Sequence, residues 1–503
     1  VNGIHINTGG PNGMDTPLSY APRAQLESLE VKRGIAPVSS GMETIGGTIK
    51  ANVKTSHFNS GDSFTPTADA LIGGATADSS YSLNGFGALA NRNHRFHLYG
   101  SKEKGDDYEI PGGDVKPSEY DRKNGGIGYG FQSNGHEVGF NYRVNRTDET
   151  GTPSLPMDID YIDTDIYESE YSGSYGAYDV HGQVFYTDVE HKMNNFDLRN
   201  PPMPLRTREN KTTSEGLGFR ADVGFDMAGG YLLLGADGQF DKHDAKVIDP
   251  VNNPDFFVDP YNDIDRDAFG VFAEWTGSVS NSWDMLLGGR YTRVESTSGN
   301  VSHFMYGMNP AITSLQDDFN AANKDNNQDN FDLMARFDHA YSSRTDFIIE
   351  AGIKNRAPSY QQLYLWVPMQ STNGLADGHN YVGDIDLDSE TAYELGLGLD
   401  WNNSKGYVSP RVFYRYVKDY IQGTPSTDPT VIMVSTANGD PNPLQWDNVD
   451  AILYGFDLDW GASLSENWAL DGVVSYVRGE RDDTSDDLYR IAAPNASATL
   501  SYN

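Results

Sequence analysis

The chain has 503 residues, with 72 acidic against 37 basic side chains and a formal net charge of -35. That balance excludes nucleic acid as a partner, because such affinity comes from Lys and Arg neutralising phosphates. The absence of Cys excludes disulfide and thiolate-metal frameworks and fits an oxidising envelope compartment, where stray thiols are a liability. Acidic loops that keep an exposed surface soluble account for the charge; attraction of a cation is the sharper alternative.

In chain order, residues 1–54 are Gly-rich and carry short runs such as Leu29-Glu30-Val31 and Gly47-Thr48-Ile49-Lys50-Ala51-Asn52-Val53. They predict a small N-terminal domain. Residues 55–67, rich in Ser, Asn, Thr and Pro, read as a linker. From 68 to 503 a rhythm takes over, in which short amphipathic segments are joined alternately by tight turns and by long polar loops. Tight turns fall at Asn91-Arg92-Asn93-His94, Ser133-Asn134-Gly135, Gly176-Ala177, Ala228-Gly229-Gly230 and four later places. The long connections lie near 105–119, 149–164, 192–210, 248–264, 298–326, 357–388, 422–448 and 481–492. Short turns on one side and long loops on the other are the plan of an outer-membrane β-barrel.

The segments alternate as half-buried strands do. In Tyr393-Glu394-Leu395-Gly396-Leu397-Gly398-Leu399-Asp400-Trp401 one face is Tyr, Leu, Leu, Leu, Trp and the other is Glu, Gly, Gly, Asp. Eight steps of ~3.3 Å at a tilt of about 40° give roughly 20 Å of height, close to an apolar band between two aromatic girdles. No run approaches the ~18 apolar residues of a transmembrane helix. The reading is all-β: a transmembrane antiparallel β-barrel with about 18 strand-like segments present, an even number that permits closure.

Three motifs carry a resemblance to TonB-dependent outer-membrane receptors. Leu26-Glu27-Ser28-Leu29-Glu30-Val31-Lys32-Arg33-Gly34, with Gly41 and Ile45-Gly46-Gly47-Thr48-Ile49, resembles the second half of that family's plug. Asn355-Arg356-Ala357-Pro358-Ser359-Tyr360 and Gly383-Asp384-Ile385-Asp386-Leu387-Asp388-Ser389-Glu390, with Glu394-Leu395-Gly396, are similar to its barrel motifs. The resemblance implies a barrel of the 22-stranded type, so that 1–54 is the C-terminal half of a plug and the barrel is C-terminally incomplete. It also implies a bacterial outer-membrane location, active uptake driven by the inner-membrane TonB complex, and contact with outer-membrane lipid and lipopolysaccharide. No cofactor is required.

Nine of the twelve Met residues fall in the N-terminal region or the long loops, and thioethers with imidazole suit soft Cu(I). Gly10-Pro11-Asn12-Gly13-Met14-Asp15 resembles a plug segment of TonB-dependent copper receptors in which a Cys and a Met four residues apart bind the metal. His191-Lys192-Met193 resembles their His-x-Met motif. Spacing of two puts His191 and Met193 on one strand face, the lumenal one if Val184 and Tyr186 face lipid. The Cys position is Gly10 here, which leaves Met14, His191 and Met193, with Met203 from Pro201-Pro202-Met203-Pro204, as the candidate metal ligands. The resemblance implies a bound copper ion.

Other candidates are weaker. His303-Phe304-Met305 is a second His-x-Met without a plug partner. The acidic stretch Asp249–Asp267 lacks the Asp-x-Asp-x-Asn-Gly order of a dedicated Ca²⁺ loop. Tyr364-Leu365-Trp366 either stacks on a flat ligand or anchors its loop. No Gly-x-Ser-x-Gly elbow, His-Glu-x-x-His or phosphate-cradling loop is present, so no enzyme is expected. The same-class rival is an iron-siderophore receptor; the different-class rival is a surface binding or adhesion protein.

Overall fold

The computed structural model of the chain describes all residues except Asn7, 11–14, Pro202, Pro204, 371–376 and Asn503. Strands β1 (Leu26–Arg33) and β2 (Gly47–Val53) form an antiparallel hairpin. Gly47 closes it at φ +129°, where an added Cβ would stand 2.2 Å from the Lys32 carbonyl oxygen, so no other residue fits.

The wall opens with β3 (Thr65–Ala75), β4 (Ser80–Ala90) and β5 (His94–Gly105). A small hairpin, β6 (Tyr108–Ile110) and β7 (Gly113–Val115), follows in the next connection. Then come β8 (Tyr120–Ser133), β9 (His136–Asp148), β10 (Asp158–Tyr175), β11 (Tyr178–Asn194) and β12 (Glu209–Met227). Next are β13 (Gly230–Ile248), β14 (Phe257–Ser280), β15 (Trp283–Thr297), β16 (Asn326–Ser342) and β17 (Thr345–Arg356). The two-residue β18 (Tyr381–Val382) pairs in parallel with β21 (Leu444–Ser463). The wall ends with β19 (Glu390–Asn403), β20 (Gly406–Pro425), β21 (Leu444–Ser463), β22 (Trp468–Arg481) and β23 (Asn495–Tyr502). Eighteen of these strands are antiparallel neighbours from β3 to β23, the count read from the sequence.

The tight turns occur where turn residues predict them. Asn134-Gly135 and Ala228-Gly229 both take positive φ at two successive positions, the hairpin geometry that matches strand twist. Two boundaries differ from the sequence reading. β3 begins at Thr65, inside the expected linker, because Pro66 is tolerated on a strand whose residues are all exposed. The connection expected at 248–264 is strand from Phe257 onward, since Ile248 pairs with Phe257 across irregular registers that absorb the extra residues.

Strands β10 to β14 are 17 to 24 residues long, against the ~10 that cross a bilayer. The outward tyrosines Tyr142, Tyr167 and Tyr186 lie in one cross-strand row, Tyr142 and Tyr167 stacking at 4.8 Å. Beyond that row the outer face turns charged, with ion pairs Arg146–Asp165 at 2.7 Å and Lys211–Glu190 at 3.0 Å. The wall therefore stands above the apolar band on this side.

The long loops are not simply polar. Three helices fold within them: α1 (Pro310–Ala321), α2 (Tyr360–Tyr364) and α3 (Pro429–Ala437). Their starts are capped by Asn309, Ser359 and Asp428, and Pro occupies the first position of α1 and α3. The largest buried apolar cluster joins these helices to the tops of β13 and β14, with Leu363, Tyr364, Leu365, Trp366, Val431 and Trp446 at its centre. The loops form a packed cap.

The N-terminal segment is held against the inner wall by buried polar contacts. Arg290 Nε donates to the Val38 carbonyl at 3.0 Å while its guanidinium pairs with Asp237 at 2.7 Å. Glu274 accepts from the Ser39 N–H at 3.0 Å, Arg266 pairs with Glu43 at 2.6 Å, and Lys354 Nζ donates to Thr44 Oγ1 at 3.1 Å.

Candidate metal site in the lumen

Alternation on β11 decides which side chains meet the interior. Val184 points outward and is 53% exposed, whereas Phe185, Thr187, Val189, His191 and Met193 are all buried. His191 is fully buried and lies between its register partners Ile162 on β10 and Thr212 on β12. Among the described residues, neither of its ring nitrogens has a hydrogen-bond partner. A buried polar atom left unpartnered costs about 1–3 kcal/mol.

The N-terminal segment comes down directly on this ring. A Cβ added at Gly9 would lie 2.5 Å from Val189 Cγ1, and one added at Gly10 would lie 2.9 Å from His191 Nδ1. Asp15 organises the turn: its carboxylate accepts the N–H groups of Gly9 at 2.9 Å and Gly10 at 3.0 Å, and the hydroxyls of Thr8 and Tyr20. Asp15 Oδ1 is 3.9 Å from His191 Nδ1. Burial and the Asp15 charge together push the Tyr20 phenol well above its ordinary range, so it stays a donor.

Met193 is buried, two positions above His191 on the same face. Met14 lies outside the described residues. Met203 is 54% exposed in the turn after β11, where its carbonyl accepts the Arg206 N–H, and it makes no described contact with His191. The structure thus brings together His191, Met193, Gly9, Gly10 and Asp15. Among the described residues, no group of three or more His, Asp or Glu side chains forms a cation site, so any metal here rests on imidazole and thioether donors.

The weaker candidates are occupied structurally. His303 Nδ1 accepts the Met305 N–H at 2.9 Å inside its own loop. Asp249 pairs with Arg208 at 2.8 Å, Asp259 with Lys246 at 3.8 Å and Asp265 with Lys242 at 3.7 Å, which spreads the acidic stretch apart. Tyr364 and Trp366 are buried in the cap, donating to the carbonyls of Lys324 and Asp259. Asp15 and Tyr20 were missed in the sequence, where one Asp among 72 acidic residues carries no signal. His243, buried on β13 and stacked on Tyr360 at 4.3 Å with its Nδ1 unpartnered, was missed for the same reason.

Beside His191 lies a half-enclosed chamber of about 810 Å³, bounded by residues 15–23 and by the inner faces of β4, β5 and β8 to β11. It extends from His191 and Asp15 to Tyr81 and Tyr120, at the same end of the wall as the long loops.

None of the curated proteins matches the chain by sequence. Among solved structures it is similar to "Copper transporter OprC", with TM-score 0.83, 22% identity, and coverage of 100% of this chain and 76% of that one. It is also similar to the FrpB iron transporter from Neisseria meningitidis, with TM-score 0.64, 13% identity, and coverage of 95% and 73%. The ferric yersiniabactin uptake receptor FyuA from Yersinia pestis gives TM-score 0.65, 13% identity, and coverage of 95% and 71%. At these identities the likeness shows a shared fold. These neighbours are transporters and receptors, not enzymes. Residues 108–503 match the model of the TonB dependent receptor-like β-barrel, and the chain therefore belongs to the TonB-dependent receptor family.

Proposed function

We propose that this chain is an outer-membrane uptake receptor for a copper ion, energised by the TonB complex of the inner membrane. The observation that carries the reading is His191, fully buried with both nitrogens unpartnered, two positions from buried Met193 and beneath the turn bearing Gly10. Imidazole with thioether is a donor set for soft Cu(I). The fold shared with a copper transporter supports the same ligand. Contacts of Arg290, Glu274, Arg266 and Lys354 tie residues 38–44 to the wall, and work on that segment is the part TonB would supply. Outer-membrane lipid and lipopolysaccharide are the expected surroundings of the apolar band.

The ligand is tested by Cu(I) titration of the full-length receptor in detergent under reducing conditions. One tightly bound copper, weakened about tenfold or more in His191→Ala, Met193→Ala and Met14→Ala, is the expected result. Copper binding unchanged in all three alanine variants would overturn the site and favour an iron-siderophore ligand, which the iron-receptor neighbours support. A surface binding or adhesion role without transport predicts unchanged copper accumulation in cells lacking the receptor.

A further inference from the structure

The outer face of the wall carries a groove of about 820 Å³ that plays no part in uptake through the lumen. Register sets its course. Trp275, Leu287, Ala335, Ala351, Leu395 and Tyr414 are successive cross-strand neighbours on β14, β15, β16, β17, β19 and β20, in one row. At about 4.8 Å per strand the row runs roughly 24 Å. Ala335 and Ala351 form the floor, continued by Ala273 and Gly289, which pair with each other one row nearer the long loops. Leu287, Leu333 and Leu395 stand exposed beside that floor. Strand tilt makes the row climb. Trp275 and Leu287 lie near the short turn between β14 and β15, and Trp275 Nε1 donates to the Met227 carbonyl beside the Ala228-Gly229 turn at 3.0 Å. Tyr414 lies well up β20, where Tyr416 donates to Asp450 at 2.8 Å. The groove thus crosses the apolar band from one aromatic girdle to the other.

A second copy of the chain would meet this groove with the same concave surface, because a two-fold contact is self-complementary, and two hollows face to face leave a void. Flexible acyl chains fill it instead. At about 30 Å³ for a group the size of a water molecule, such as a methylene, the groove takes roughly 27 of them, or two chains of about fourteen carbons. That is the chain set of a phospholipid, and too small for the larger one of a lipopolysaccharide. The upper end supplies the polar half of the site. Tyr393, stacked on Tyr416, and Tyr414 carry hydroxyls with no hydrogen-bond partner among the described residues. A hydroxyl facing hydrocarbon without an acceptor costs free energy, and ester carbonyls are the acceptors a lipid offers at that depth. We propose that the groove binds one diacyl phospholipid, its chains laid along Ala335, Ala351, Gly289 and Ala273 and its ester carbonyls accepting the O–H groups of Tyr393 and Tyr414. Packing and those hydrogen bonds hold it, since lipid tails gain nothing by leaving other lipid tails. The site is independent of the copper reading.

The test uses the full-length receptor, stripped of lipid in detergent and titrated with dimyristoylphosphatidylethanolamine or with its di-ether analogue, which has the same chains and no carbonyls. Native mass spectrometry counts the lipids retained. The expected result is one retained ester lipid per receptor, bound about tenfold more tightly than the ether lipid. Filling the floor in the double variant Ala335→Leu with Ala351→Leu should abolish retention of both lipids while the heat-dependent gel migration of the barrel is unchanged. In Tyr393→Phe with Tyr414→Phe, ester and ether lipids should bind equally. No retained lipid in the wild type, retention that survives the filled floor, or equal binding of ester and ether by the wild type overturns the proposal. A dimer that forms in place of the lipid and is lost in the filled-floor variant gives the groove to a second copy, and displacement of the phospholipid by equimolar lipopolysaccharide gives it to that lipid; either result also overturns it.

Discussion

Asp15 is the residue on which the lumenal turn depends. Its two oxygens take four donors, from Gly9, Gly10, Thr8 and Tyr20, and an amide could accept at only one of its two heavy atoms. Asp15→Asn is therefore expected to cost about 1–3 kcal/mol locally, read as faster hydrogen exchange at the Gly9 and Gly10 amides. Unchanged protection there would show that the turn is held by something else. The neighbouring side chains illustrate what a single residue reveals in advance. His191 and Met193 were legible because a spacing of two on a strand fixes a shared face whatever the rest of the chain does. Asp15 was not, because its role comes from contacts with Thr8, Gly9, Gly10 and Tyr20 against a wall more than 170 residues away in sequence.

At the scale of elements, the cap and the N-terminal segment are each held by a few buried contacts. Leu363 is fully buried in the cap, and Leu363→Ala is expected to cost about 2–5 kcal/mol there. The readout is protease cleavage within 357–388 while the wall keeps its heat-dependent gel migration; loss of both together would mean cap and wall are one cooperative unit. For the N-terminal segment, the pair Arg290–Asp237 is almost fully desolvated and also supports the Val38 carbonyl. Asp237→Ala leaves the guanidinium without its counter-charge, a loss of about 3–5 kcal/mol for a buried pair. Increased protease access to residues 33–47 would report it, and unchanged access would show that the other anchors suffice. The wall strands were legible from alternation and turn chemistry, whereas the cap was not. Helices α1 to α3 are short, and their apolar residues find partners only in other loops, so each loop alone reads as irregular and polar.

For the molecule as a whole, the cap adds a pH dependence to the outer side. His303 bridges to Val258 in the cap, and burial, with the Arg208 charge nearby, pushes its imidazole down to about 4. Unfolded, the same group titrates near about 6.5. As pH falls the opened state therefore takes up the proton first, so the stabilisation is complete above about 6.5 and is lost progressively toward about 4. Loop proteolysis is expected to rise between pH 7 and pH 5 in the wild type and to flatten in His303→Gln; an identical pH profile in that variant would place the dependence elsewhere.

The sequence by itself determined the barrel wall, its eighteen strands, its turns and the lumenal direction of His191 and Met193. These follow from period-two alternation and local turn geometry, which act over a few residues. The tertiary structure alone decided the Asp15-centred turn, the packed cap and the chamber lined by Arg23, Arg122 and Thr164. Those depend on which distant segments the wall brings to the same height, and no local pattern encodes that.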